Sequence, residues 1–235
     1  MVVKKGGSKL IAPVHRMTKA DIIRLANRKC EAHHHSYLEH YNCYLKENAD
    51  QIERIGFLDI EATNLDADFG FILSYCIKVA QEDEIYMDVL KPKDLKVAKA
   101  GDEDRRIVVQ LLEDLNNFDK IVTYYGKRYD IPYIRARAVS MGIPFPNFGT
   151  LKHIDLYDTI KHKFKLSSRR LENACRVLLG ETDKTRVDGK YWRAASRGDK
   201  ASLDYIIDHN QKDVVDLEKL YDKTINFQRK NDTSI

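Results

Sequence analysis

The chain is short of cysteine, of net charge and of long apolar runs, and each shortage removes a class of protein. Four cysteines in 235 residues do not make a disulfide framework, and Cys76 and Cys175 sit in apolar surroundings typical of reduced core thiols. No run approaches the roughly 18 apolar residues that a membrane-spanning helix needs. The start, Met1-Val-Val-Lys-Lys-Gly-Gly-Ser8, lacks the apolar core of a signal peptide, so a cytoplasmic protein without a membrane partner is the expectation. A net charge of +4 is too mild to demand nucleic acid by itself. There are no internal repeats or low-complexity tracts. What remains, with 43% hydrophobic and 32% charged residues, is an ordinary globular composition, long enough for one well-cored domain and an appendage.

The most informative stretch is Ile55-Gly-Phe-Leu-Asp-Ile-Glu61. Strand side chains alternate faces, so Asp59 and Glu61 point one way while Leu58 and Ile60 enter the opposite layer. Two neighbouring carboxylates on a buried strand repel each other and resist desolvation. A divalent cation removes both problems, and hard oxygen ligands suit Mg²⁺ or Mn²⁺. The plainer reading is a strand end with one acid solvated.

Around this stretch the pattern predicts strands at 55–63, 71–79 and 84–90, joined by turn residues into an antiparallel meander. A helix follows at 103–117, with Ile107, Val108, Leu111, Leu112 and Leu115 on one stripe. Then come strand 120–125, helix 131–142 opened by Pro132, a short strand near 153–157, helices near 158–164 and 168–179, and a final helical pair near 200–227. Strands then alternating helix and strand describe an α/β domain: a mixed five-stranded sheet flanked by helices. The domain boundaries read from composition are a disordered basic tail at 1–17, a helical Cys/His-rich segment at 18–53 with Thr18 as its cap, the main domain at 54–228 and a tail at 229–235.

Two further acidic positions follow the first. In Tyr124-Tyr-Gly-Lys-Arg-Tyr-Asp130-Ile-Pro132, a strand runs into a Gly-containing turn and Asp130 falls at the N-cap of the next helix, where capping alone would explain it. In Asp204-Tyr-Ile-Ile-Asp-His209-Asn-Gln-Lys-Asp213, His209 and Asp213 are four apart and share a helix face; a surface pair is the plainer reading. Basic residues cluster nearby: Lys161, Lys163, Lys165, Arg169 and Arg170 lie within ten residues, and Lys127, Arg128, Arg135 and Arg137 flank Asp130. That suits a phosphate-tracking site, as it would suit solvated helix faces.

In order and context these positions resemble the DEDD exonuclease superfamily of the ribonuclease H-like fold: Asp59 and Glu61 match its first motif, Asp130 the second and Asp213 the last. Thr123-Tyr-Tyr-Gly…Tyr-Asp-Ile-Pro-Tyr-Ile and Phe164-Lys-Leu-Ser-Ser-Arg-Arg-Leu-Glu look like the proofreading domain of family B DNA polymerases, and closer still like its small stand-alone relatives. The likeness covers about 54–225. It implies a ribonuclease H-like fold and two Mg²⁺ or Mn²⁺ ions held by Asp59, Glu61, Asp130 and Asp213. It also implies 3′→5′ hydrolysis of single-stranded DNA or RNA ends with release of nucleoside monophosphates, alongside a replication or repair partner of unknown identity. One departure stands out. The superfamily's base is Tyr four residues, or His five residues, before the last Asp, and here His209 stands four before, as base or as water-orienting group. Tyr124, Tyr125 and Tyr129 could stack terminal bases, with Lys127, Lys165, Arg169 and Arg170 on phosphates, and Asp155 lies near where relatives carry a further acid. The rival readings are a non-catalytic nucleic-acid-binding module on the same scaffold and a structure-specific endonuclease using the same site.

Ahead of the domain, Cys30, His33, His34, His35, His40 and Cys43 place six soft or borderline ligands in fourteen residues. Four make a tetrahedral zinc site. The near-mirror set Cys30, His33, His40 and Cys43 is the first choice, with His35 able to replace His33. A His-rich surface helix with incidental cysteines is the alternative.

Overall fold

The computed structural model describes residues 19–47, 54–99, 101–147, 149–180, 188–228 and 233–234. Thr18, the tail at 1–17 and most of the tail at 229–235 lie outside the described residues. The chain forms two compact units, Met1–Arg54 and Ile55–Ile235. Among the described residues no helix is long and apolar enough to cross a membrane.

The first unit holds helix α1 (Lys19–Asn27) and helix α2 (Tyr41–Glu47). The histidine-rich residues between them are not helical. Lys29 pairs with Ser36 in an isolated bridge, and His34 takes a positive φ of 57° in the turn that results. A small cluster of Leu25, Cys30, Tyr37, Cys43 and Tyr44 is its buried interior.

The second unit is a mixed sheet of five strands: β1 (Ile55–Ala62), β2 (Ile72–Val79), β3 (Ile85–Val89), β4 (Lys120–Thr123) and β5 (Lys152–Asp155). A two-residue strand, β6 (Thr233–Ser234), extends one edge, giving the order β3-β2-β1-β4-β5-β6. β1, β2 and β3 form the expected antiparallel meander; β4 runs parallel to β1 and β5 parallel to β4. The helices are α3 (Pro92–Val97), α4 (Arg105–Leu115), α5 (Asp130–Ser140), α6 (Leu156–Lys163), α7 (Leu171–Leu178), α8 (Gly189–Ala195) and α9 (Lys200–Thr224).

The alternation read from β1 organises both layers. Leu58, Ile60 and Ala62 join the core built with α4 and α5, where Ile107, Val108, Leu111, Leu112 and Leu115 supply the expected stripe. Phe57, on the other face, packs with Cys76, Val122 and residues of α6, α7 and α9. Gly56 has no substitute here, since a Cβ would fall 2.6 Å from the Ile77 Cγ2 and 2.8 Å from the Phe118 ring.

Two corrections concern the helices. The expected pair near 200–227 is one 25-residue helix, α9, finished by a 3₁₀ turn at Ile225–Phe227. Its polar centre, Asp208 to Asp213, resembles a connection in sequence, yet His209, Asn210 and Asp213 are all buried against the sheet. The short helices α3 and α8 were not anticipated; each spans under two turns, too short for a periodic signal. Asp199 starts α9 with an N-cap bond from Ser202 N at 2.9 Å.

Candidate active site

Asp59 and Glu61 stand on the same face of β1, half-buried between fully buried neighbours. α9 crosses β1 and β2 and delivers His209 and Asp213, one turn apart. His209 Nε2 lies 3.7 Å from Asp213 Oδ2 and 4.0 Å from Glu61 Oε1. The ligand atoms of Glu61, His209 and Asp213 all lie within 4.8 Å of one another. Asp59 is paired in register with Cys76 of β2. Burial pushes the Cys76 thiol up, and Asp59, Glu61 and Asp213 push it further, so three carboxylates bear on one point.

These groups floor a cleft of about 940 Å³. Its walls are Tyr124, Tyr125 and Tyr157 on one side and the loop Leu166–Arg170 on another, with Trp192 beside His209. The Trp192 and His209 rings meet edge to face at 6.2 Å, and the Tyr125 and Tyr157 rings at 4.9 Å. The Tyr124 hydroxyl donates to the Arg169 carbonyl at 2.6 Å and Asn173 Nδ2 to the Ser168 carbonyl at 2.7 Å, which fasten that loop.

Asp130 is placed differently from the expectation. It is the first residue of α5, after Tyr129 at the N-cap. It does not line the cleft; its Oδ1 accepts the Ile60 N–H at 3.1 Å. The physical reason is the sheet register. β4 pairs with β1 only as far as Phe57↔Val122, so an acceptor is needed beyond that point, and Asp130 supplies it between the two acids of β1. Burial pushes its carboxyl up to about 7 despite the bonds from backbone N–H groups, and Asp155 adds to the rise.

Of the expected nucleic-acid contacts, Tyr124, Tyr125, Arg169 and Arg170 line the cleft. Tyr129 packs against the core and its ring lies 5.6 Å from that of Tyr133. Lys127 faces Asp158 at 3.4 Å in a second, smaller hollow, and Lys165 is exposed away from the cleft lining. Asp155 is tied into the backbone: Oδ1 accepts from Tyr125 N at 2.7 Å and Tyr157 N at 3.1 Å, and Oδ2 from Lys127 N at 3.1 Å. That carboxylate shapes the turn in which Tyr125 holds a positive φ of 71°. In the first unit, Cys30, His33, His40 and Cys43 come together and His35 stands outside their group.

Sequence reasoning missed Trp192, Tyr157, Ser167, Ser168 and Glu172, all on the cleft wall. Trp192 had one signal, as the only tryptophan of the chain, and Ser167, Ser168 and Glu172 lie within the Phe164–Glu172 stretch that carries the resemblance without being singled out; Tyr157 had none.

A family model described as RNase_H superfamily (RNase_H_2) matches residues 56–225. The chain belongs to the RNase_H superfamily. Curated relatives of this RNase_H superfamily chain include a DNA polymerase of Methanocaldococcus jannaschii, 29% identical over 126 residues, which are 43% of this chain and 7% of that protein. A DNA polymerase of Archaeoglobus fulgidus is 24% identical over 182 residues, 68% of this chain and 22% of that one. The chain thus aligns with under a quarter of either relative. The family B DNA polymerase of Pyrobaculum calidifontis shares the fold, with a TM-score of 0.60 at 18% identity, covering 74% of this chain and 24% of that structure.

The ribonuclease H-like fold is a nuclease fold that works with divalent metals. The donors of this superfamily member fit such ions: carboxylates of Asp59, Glu61 and Asp213 are hard ligands, and their mutual repulsion is what a cation offsets.

Proposed function

We propose that this protein is a metal-dependent 3′→5′ exonuclease that hydrolyses phosphodiesters at single-stranded ends of DNA or RNA and releases nucleoside 5′-monophosphates. The observation that carries the reading is the convergence of Asp59, Glu61, Asp213 and His209 in the floor of one cleft with aromatic and arginine walls. Asp59, Glu61 and Asp213 would hold two Mg²⁺ or Mn²⁺ ions, with Asp130 behind them bracing the Ile60 backbone. When bound, such a pair lowers the pKa of water and offsets charge on the departing oxygen.

The chain's own groups do the rest. His209 stands among the carboxylates, within reach of a water, and accepts its proton or orients it. Trp192, Tyr125 and Tyr157 offer ring faces and edges to unpaired bases, and sequence-tolerant stacking suits an end-degrading enzyme. Arg169 and Arg170 lie where phosphates of the strand would pass.

The test is a time course on 5′-labelled single-stranded DNA and RNA with Mg²⁺, Mn²⁺ or EDTA, beside circular single strands. Expected is a metal-dependent ladder that shortens from the 3′ end, lost with EDTA and in Asp59→Ala, while circles survive. His209→Ala should be slowed on the order of 10²–10⁴-fold if it moves the proton. Cleavage of circles at the linear rate would overturn the exonuclease reading in favour of an endonuclease. Tight binding with no cleavage under any metal would favour a binding module.

A further inference from the structure

We propose that Cys30, His33, His40 and Cys43 hold one structural zinc ion that staples the N-terminal unit. The argument starts from geometry. The four ligand atoms lie within 4.8 Å of one another. Cys43 Sγ is 3.3 Å from His33 Nδ1 and 3.3 Å from His40 Nδ1, and Cys30 Sγ is 4.0 Å from His33 Nδ1. A tetrahedral zinc with ordinary Zn–S and Zn–N bonds separates sulfur from nitrogen by roughly 3.6 Å, in the middle of that range.

The backbone explains why these four meet. Cys30 and His33 occupy a tight turn closed by Cys30 N–H to the His35 carbonyl at 2.9 Å and His34 N–H to the Cys30 carbonyl at 3.0 Å. His40 and Cys43 occupy the start of α2, where Cys43 N–H donates to the His40 carbonyl at 2.9 Å. Turn and helix are held together by Glu47, which accepts from the Tyr37 hydroxyl at 2.6 Å and from Glu31 N–H at 3.1 Å. His35, whose carbonyl closes the turn, lies outside the four-ligand group although its ring is 5.3 Å from that of His40, so the fold selects His33 over it.

Energetics point the same way. Among the described residues the unit's buried cluster is five side chains, and two of them are the cysteines themselves. Small units with few buried side chains commonly rely on a metal or disulfide. Two soft sulfurs and two imidazoles select zinc over magnesium. Binding converts both thiols to thiolates and releases two protons to solvent while the histidines bind neutral. The two negative charges cancel that of Zn²⁺, leaving a neutral site that keeps both cysteines buried while His33 stays exposed.

The experiment uses the full chain, purified without chelator and analysed for zinc, then exchanged with Co²⁺. Expected are close to one zinc per chain and, with cobalt, thiolate-to-cobalt charge-transfer absorption with intense tetrahedral bands. The acidic cleft contains no sulfur ligand among its lining residues, so these bands report the N-terminal site alone. Cys43→Ser should lose the bands, whereas His35→Asn and the ligand-preserving His33→Cys should keep them. Wild-type protein without charge-transfer bands, or with Cys30 and Cys43 joined as a disulfide in reductant-free buffer, would overturn the proposal. So would full bands in Cys43→Ser, or loss in His35→Asn with retention in His33→Asn.

Discussion

Asp155 offers the sharpest test of how the cleft is shaped, because one buried carboxylate holds three backbone N–H groups from two segments. In Asp155→Asn the amide oxygen can still accept from Tyr125 and Tyr157. The amide nitrogen would then face the Lys127 N–H, donor against donor. The lost bond is to a charged acceptor, worth about 1.5–3 kcal/mol, and the two remaining bonds weaken as the charge goes. Opposing this, burial pushes the Asp155 carboxyl up, so a neutral amide is cheaper to bury. The balance is a loss of about 2 kcal/mol, and Asp155→Ala, which abandons all three bonds, should lose about 3–5 kcal/mol. Urea unfolding would show this as a lower midpoint at unchanged slope. Because Tyr125 lines the cleft, KM for single strands should rise in Asp155→Asn at temperatures where the variant is folded. An Asp155→Asn protein with wild-type midpoint and KM would refute the assignment of this carboxylate as the organiser of the turn.

Three further outcomes are expected. Burial holds the His153 imidazole down at about 4, from its ordinary 6.5, beside the Thr123 hydroxyl at 2.8 Å. Below pH 6.5 the unfolded chain therefore binds a proton that the folded chain refuses. Stability should fall by up to about 3 kcal/mol as pH drops from 6.5 to 4, and His153→Gln should flatten that part of the denaturation profile. Arg137→Met should cost about 3–5 kcal/mol, because Asp104, fully buried and paired with Arg137 at 2.6 Å, keeps among the described residues only the Ile72 N–H at 2.8 Å; recovery in Arg137→Met/Asp104→Asn, measured by urea titration, would confirm the orphaned charge. Arg169→Ala should weaken single-strand binding about equally for all sequences and reduce the salt dependence of log K by about one phosphate contact; an unchanged salt slope in fluorescence titrations would remove Arg169 from the binding surface.

What the amino-acid order determined by itself is what depends on local periodicity. Alternation along Ile55–Glu61 puts Asp59 and Glu61 on one face whatever the rest of the chain does, and one turn of helix puts His209 beside Asp213. The apolar stripe of 105–115 and the antiparallel meander are legible for the same reason. Tertiary structure decided everything set by contacts distant in sequence. Asp130 looks like a helix cap or a metal ligand until the end of the β1–β4 ladder turns it to Ile60, 70 residues away. Asp155 looks like one more acid until three N–H groups converge on it, two of them about 30 residues distant. Trp192 reaches His209 only because α8 packs against α9; mirror spacing ranks His33 ahead of His35 as partner of the cysteines, but only the closed turn brings His33 together with Cys30, His40 and Cys43. Side-chain direction within one element is a property of the repeat; which surface it then meets depends on how the chain closes its long loops.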